Sequence, residues 1–567
     1  MPTRSMPYHK TWRRGLIATA AALTLAVSAC GTPEPSTGSG TPEGKRGGTL
    51  NLLAQSDLEH LDPARNYVSS QLQLEVLYAP TLTSYVNKPG AAGSVIGADA
   101  ATDTGTHNAD ATVWNFTIRK NLKWEDGRTV TCEDFRYGIN RSFSPIITNG
   151  PQYQKQYLKG GETYQGVYDD PKGISSVTCK GDVLTFQLVR SVADFNYTVS
   201  LGIFAAVRAD KDTKTKYDLQ PFSYGPYKIQ KHVRDQSLVL VRNTYWDQSL
   251  DTIRRNLPDV LNFEFGQDPG VINDRLIADR GADQQAIPYA NTQVTAAQAP
   301  QVFNTPAVKK RVVTGYSGYV WYVAINTRKI GDLDCRKAFQ YAMDKQTYLT
   351  AIGGPQFGDF ATTATAPTLR SYKKIDPWGL ANKPQGDPAM ARTFLGQAKT
   401  CPRTVKLDYS QSPTGDKIAA SIKDSLARIG VTVTPVPINR KAFYTTTGKS
   451  DSEDELVYTS WGADWPSGSA VIAPLFDGRQ ITKEGNQVYT LMNDPKINQA
   501  IDAAGAVADS DKAQPLWAAI DEQVQLTSAT IPLRYDKSVY VVGSKVTGAY
   551  LNPNFGDVSL LNVGVAQ

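Results

Sequence analysis

The thiols of five cysteines and the imidazoles of four histidines are the most reactive side chains in this 567-residue sequence, and their spacing favours anchoring and stapling over catalysis. Cys30 closes an uncharged run, Leu16 to Ala29, that follows Arg4, Lys10, Arg13 and Arg14. A basic start, 14 uncharged residues and the small pair Ser28-Ala29 read as a signal peptide (1–29), too short for a comfortable membrane span. The other cysteines, Cys132, Cys179, Cys335 and Cys401, form no Cys-x-x-Cys pair, a poor arrangement for zinc. In an exported chain their even number predicts two disulfides; of the three possible pairings, the local ones, Cys132–Cys179 and Cys335–Cys401, are expected. His9 lies in the signal, and His60, His107 and His232 are scattered, which gives general-base chemistry little support. There is no Gly-x-Ser-x-Gly elbow, Walker loop or His-Glu-x-x-His motif, so neither an enzyme nor a cofactor or metal site is expected.

Val27-Ser28-Ala29-Cys30 resembles the lipobox of bacterial lipoproteins, in which the cysteine is diacylated and becomes the first residue of the mature chain. The resemblance implies a protein on the extracytoplasmic face of the cell membrane, held there by lipid. The segment after Cys30, rich in Gly, Pro, Ser and Thr, has too little apolar surface to fold and reads as a flexible linker over 30–46. Arg13-Arg14 loosely resembles a twin-arginine export signal, so the export route stays open between that and the general one. Four basic and no acidic residues precede Cys30, which brings the formal charge from +6 to about +2 for the mature chain and argues against a nucleic-acid partner. No later stretch approaches the roughly 18 apolar residues of a second membrane segment.

About 520 residues remain, too many for one core, and they read as a mixed α/β body. A strand is predicted at Thr49–Leu53, a helix over Ser69–Tyr78, and a surface loop over Gly90–Asp110. A strand follows over Ala111–Arg119, and Thr131 with Asp134 is a capping-box start for a helix over Glu133–Arg141. A hairpin is expected around Lys180-Gly181-Asp182, paired strands over Tyr227–Lys231 and Ser237–Arg242, and a strand over Val260–Phe265. The pattern at Val405–Tyr409, Ile418–Ile429 and Val431–Pro435 is strand–helix–strand. Tyr319–Ile325, Glu455–Ser460, Ile531–Tyr535 and Val539–Val542 read as further separate strands. The chain is expected to cross between lobes more than once, and such crossings make hinges.

Taken together, these motifs resemble the peptide/nickel-type solute-binding lipoproteins of ABC importers, the oligopeptide- and dipeptide-binding proteins. The resemblance rests on Gly47-Gly48-Thr49-Leu50 with Leu61-Asp62-Pro63, on Trp114 through Phe135, on Tyr224-Gly-Pro-Tyr227, on Arg242-Asn-Thr-Tyr-Trp246, on Asp334 through Lys345, and on Tyr489 through Leu533. It implies a two-lobed periplasmic-binding-protein-like clamp with hinge strands and an accessory domain (class II, cluster C type). Lobe I would comprise 47–84, 222–313 and 532–567, the accessory domain 85–221, and lobe III 314–531. Each expected disulfide would then stay within one domain and leave closure free. The implied partners are a peptide or other small-molecule ligand and the permease subunits of an ABC transporter, with the receptor itself a monomer.

In peptide-binding relatives the aspartate of the segment matching Trp461-Gly462-Ala463-Asp464-Trp465 pairs with the peptide α-ammonium, which makes Asp464 the first candidate. A carboxylate in a poorly hydrated cleft attracts a cation more strongly than one at the surface. Trp461 and Trp465 are candidates for stacking on a ligand or, equally, for the core. Tyr319, Trp321 and Asn326 on the first lobe III strand, and Tyr224 near a lobe crossing, are the remaining candidate wall residues. Directly after Asp464 the chain departs from the relatives, which often carry a second acidic residue and then proline; here the run is Trp465-Pro466-Ser467-Gly468-Ser469. A sugar or other non-peptide solute, and a sensor that does not transport, stay open as alternatives.

Overall fold

The computed structural model describes residues 44–440 and 442–566; the expected signal peptide, Cys30 and most of the expected linker lie outside the described residues. Thr49–Leu53 is an inner strand of a five-stranded sheet, parallel to Val260–Glu264 on one side and to Ala286–Pro288 on the other. Its apolar residues follow from that position: Leu50, Leu52 and Leu53 have no exposed surface, as expected of a strand covered on both faces. Ser237–Arg242 and Tyr227–Val233 extend the sheet antiparallel.

The following part of the chain builds a four-stranded antiparallel sheet in the order Thr106–His107, Val113–Thr117, Val183–Gln187, Val177–Lys180. Trp114 and Phe116 alternate inward opposite Phe186 and Leu184, and all four are buried. The helix Cys132–Arg141 begins with the expected capping box: Thr131 Oγ1 accepts from the Asp134 backbone N–H, and the Asp134 side chain accepts from that of Thr131. A disulfide from Cys132 to Cys179 staples this helix to the hairpin, and a second joins Cys335 to Cys401.

A six-stranded mixed sheet carries the C-terminal half, in the order Gly358–Phe360, Thr530–Val541, Val312–Ile325, Leu456–Gly462, Thr404–Ser410, Thr432–Ile438. The last two strands are parallel and joined by the helix Pro413–Ala427, the expected strand–helix–strand unit. Alternation along Val312–Ile325 sends Val323 and Ile325 to one core and Tyr322 and Ala324 to the other. No helix among the described residues is long and apolar enough to cross a membrane.

Two expectations need correction. The segment 90–110 is not simply a surface loop: Ile96–Ala98 pairs with Thr83–Tyr85, and Ala100 and Ala101 have no exposed surface. Small side chains allow that close packing without leaving an apolar signature in the sequence. The strands expected at 531–535 and 539–542 are one strand, Thr530–Val541, antiparallel to Val312–Ile325. The polar residues between them find partners instead of ending the strand. Asp536 accepts a hydrogen bond from Ser317 Oγ at 2.6 Å, and Lys537 pairs with Asp359 at 2.7 Å. The register shifts between Tyr316 and Val320, where Gly318, at φ +84°, adopts a backbone that a side chain would strain. The expected lobe boundaries at 313/314 and 531/532 thus fall inside two continuous strands.

Candidate functional site

Leu456–Gly462 runs antiparallel to Tyr319–Ile325, with Tyr319 opposite Gly462, and delivers Asp464 just past the end of the sheet. Two tyrosines from the N-terminal part of the chain meet it there. Asp464 Oδ1 accepts from the Tyr67 hydroxyl at 3.0 Å, and Oδ2 accepts from the Tyr153 hydroxyl. Burial raises the Asp464 carboxyl above the usual carboxylate range, and the two hydroxyls pull it partly back. Burial, reinforced by the neighbouring Asp464, pushes both tyrosines upward, so they stay protonated donors. The structure therefore holds a half-buried carboxylate on a seam, answered by tyrosine hydroxyls, that of Tyr67 on a ring 45% exposed.

The aromatic candidates separate clearly. Trp465 is buried, with its ring edge-on to Tyr153 at 5.1 Å and its Nε1 donating to Ser469 Oγ at 3.1 Å. Trp461 is half-buried and donates from Nε1 to the Ala470 carbonyl at 2.9 Å. Tyr319 keeps 38 % of its surface, and the Ser69 side chain stands by its hydroxyl. Its ring lies so close to Gly462 that a Cβ there would come within 2.6 Å. Tyr319, Trp461, Asp464 and Trp465 are thus brought together, and Tyr67, Ser69 and Tyr153 face them.

The other three candidates sit elsewhere. Tyr224 is a core residue rather than a wall of the cleft. It has no exposed surface, its hydroxyl donates to the Pro80 carbonyl at 2.6 Å and accepts from the Ala206 N–H, and its ring packs on Trp124 at 4.7 Å. Asn326 is buried at a loop: its amide donates to the Asp454 carbonyl at 3.1 Å and its Oδ1 accepts from the Arg328 N–H, which commits its polar atoms to the fold. Trp321 stacks on Tyr458 at 5.1 Å with the Arg534 guanidinium over its face, inside the cluster that also holds Tyr348.

The seam continues away from Asp464. Asp194 accepts from Ser469 Oγ at 2.8 Å and from Ser510 Oγ, while Arg370 donates to the Tyr197 hydroxyl at 3.3 Å and pairs with Asp511. Beyond these contacts lies an open cavity of about 630 Å³, with Trp114, Asn196 and Tyr197 on one wall and Arg370, Ser510 and Asp511 on the other. Reading the sequence did not find Tyr67, Tyr153 or Asp194. They lie 397, 311 and, from Asp194 to Ser469, 275 positions from their partners, and no local pattern marks them.

The five-stranded and six-stranded sheets each carry their own strands, and the contacts of Tyr67 and Tyr153 with Asp464 bridge the N-terminal and C-terminal halves of the chain, an arrangement consistent with a two-lobed clamp. The model of the bacterial extracellular solute-binding proteins, family 5, matches residues 95–483, and the chain belongs to that family, as its motifs led us to expect. It is similar to the dipeptide-binding protein DppE of Bacillus subtilis (strain 168), 25% identical over 345 residues, which are 57% of this chain and 59% of that protein. The chain thus spans under two thirds of that relative. It is also similar to the oligopeptide-binding protein OppA of the same organism, 24% identical over 71% of this chain and 73% of that one. Among solved structures, the clavulanic acid biosynthesis oligopeptide binding protein 2 superposes with a TM-score of 0.86 at 29% identity, covering 93% of this chain and 97% of that one.

Proposed function

We propose that this protein is a lipid-anchored receptor that captures peptides by their free N-terminal ammonium and hands them to an ABC permease. Asp464 carries the reading. A carboxylate raised by burial and met by tyrosine hydroxyls gains most from a ligand that brings its own positive charge. An ammonium has N–H groups for the carboxylate and for a hydroxyl oxygen, and the exposed ring of Tyr319 offers an apolar wall beside it. The names of DppE, OppA and the 29%-identical structure point the same way, towards peptides. Binding in this family mode relies mainly on the ligand backbone, so a range of side chains is accepted.

In this reading lobe I comprises 47–84, 222–313 and 532–567, the accessory domain 85–221, and lobe III 314–531. Cys30 supplies the lipid tether at the extracytoplasmic face, the linker gives the clamp its reach, and the receptor works as a monomer without bond-breaking chemistry. Native mass spectrometry of gently purified protein tests the ligand class. A co-purifying mixture spaced by amino-acid residue masses is expected, and a single sugar or glycoside mass would overturn the peptide reading.

A further inference from the structure

Asp194 immediately precedes the helix Phe195–Thr198, a place where an aspartate ordinarily caps its own helix. Here its side chain makes no such cap, although it is 6% exposed. Both carboxylate oxygens instead cross the seam, one to Ser469 Oγ at 2.8 Å and the other to Ser510 Oγ. Leaving the local cap unmade costs stability, and burying a carboxylate costs more, unless the contacts across the seam return it.

Those contacts lead straight to Asp464. Ser469 Oγ donates to Asp194 and accepts from Trp465 Nε1 at 3.1 Å, and it lies 3.0 Å from Ser467 Oγ. Gln514 Nε2 reaches Ser467 Oγ at 3.2 Å and the Ser510 carbonyl at 2.9 Å, closing a ring of hydrogen bonds behind the turn. Trp465 is the neighbour of Asp464 and packs against Tyr153, which itself donates to Asp464. The departure from the relatives after Asp464 now has a physical content: in Ser467-Gly468-Ser469, Ser469 supplies a hydroxyl to Asp194 and Ser467 stands behind it, 3.0 Å from Ser469 Oγ and 3.2 Å from Gln514 Nε2. Gly468 is needed because a Cβ there would come within 2.3 Å of Trp517 Cβ.

We propose that Asp194 is a positioning residue for the Asp464 site: it fixes the Trp465–Ser469 turn across the seam and so holds Asp464 towards Tyr67 and Tyr153. The proposal rests on the reading of Asp464 as the ammonium receptor, and it adds the support that sets the Asp464 turn in the ligand-free structure, where both bonds from Asp194 across the seam are made.

The test compares Asp194→Ala, Asp194→Asn and Ser469→Ala in the mature protein. Hydrogen exchange in the absence of ligand reads the positioning directly. Asp194→Ala is expected to speed amide exchange over 461–470 about tenfold, Ser469→Ala to do the same from the other side, and Asp194→Asn, which keeps an acceptor oxygen, to stay within roughly threefold of the parent. Unchanged exchange over 461–470 in both alanine variants would overturn the proposal. Calorimetry with trialanine and N-acetyltrialanine then separates positioning from general loosening. Asp194→Ala should weaken trialanine about tenfold and leave the weaker N-acetyl ligand unaffected. An equal loss for both ligands would overturn it. If the parent protein discriminates neither ligand, the ammonium reading of Asp464 fails on its own, while the exchange result still decides the role of Asp194.

Discussion

Asp62 is fully buried and Asp464 half-buried, and the fold treats the two carboxylates oppositely. Asp62 has no exposed surface and is gripped by the Arg141 guanidinium, with Nη2 at 2.7 Å and Nη1 at 3.2 Å, while the Ala64 N–H donates to the same carboxylate. Arg141 in turn reaches Asp212 from Nε at 3.1 Å and lies 5.0 Å from the centre of the Tyr217 ring. The facing carboxylates push the guanidinium further above its ordinary value. Asp464 has tyrosine hydroxyls in place of a guanidinium. A buried charge that serves the fold comes with its counter-charge, because an unpaired one is costly. In the proposed function the half-buried Asp464 has hydroxyls and no cation beside it, so that the ligand brings the counter-charge.

Arg141→Met is expected to break the structural side of this comparison most severely. It leaves Asp62 and Asp212 buried without their cation, at a cost of ~3–5 kcal/mol, visible as a lower thermal unfolding midpoint. Arg141→Lys should recover only part of the loss, since an ammonium cannot reproduce the bidentate fork. A midpoint unchanged in Arg141→Met would dissolve the distinction between the two carboxylates.

On the binding side, Asp464→Asn should weaken a free-N-terminus peptide by ~2 kcal/mol, roughly 30-fold, in calorimetry. The raised carboxyl also predicts a pH effect. As pH falls, Asp464 takes up its proton at a higher pH than an ordinary aspartate, so parent affinity declines there while that of the asparagine variant stays flat. Equal affinity of the two proteins at neutral pH would remove Asp464 from the site.

The smallest expected effect concerns a third carboxylate, the buried Asp408. Asp408, beside Asp454, is pushed up to about 7 by burial and by its acidic neighbour, with Lys406 opposing. A folded-state value above the unfolded one means that its contribution is fully present below about pH 4 and is lost as pH rises through 7. Asp408→Asn should therefore match the parent at pH 4 and exceed it by ~1 kcal/mol at pH 8, after allowing for screening by water and Lys406. A pH–stability profile identical for the two proteins would show that Asp408 takes no part in the titration.

Much of the fold was legible because its signals are local. The Thr131–Asp134 box, the turn at Lys180–Asp182 and the apolar alternation of Val113–Thr117 each fix an element within a few residues, and the structure holds each one. The failures share a cause. Ala100 and Ala101 look like loop residues until the packing around them is seen, and Asp536–Ser538 looks like a break until Ser317 and Asp359 supply partners from elsewhere in the chain. The same held for the site. Asp464 stood out by its motif, whereas Tyr224 was misplaced because an aromatic near a crossing reads alike whether its hydroxyl faces a ligand or, as here, the Pro80 carbonyl.

By itself the sequence determined the class of protein and most of the element types, favoured one disulfide pairing among three, and singled out Asp464 as a candidate. The class and the element types follow from residue chemistry at short range and from motifs in order, whereas the disulfides, over separations of 47 and 66 residues, were fixed by the fold. Only the tertiary structure decided what meets that carboxylate. Tyr67, Tyr153 and Asp194 act across a seam between segments hundreds of residues apart, and hydrogen bonds at such separations depend on how sheets pack, which no local pattern of residues specifies.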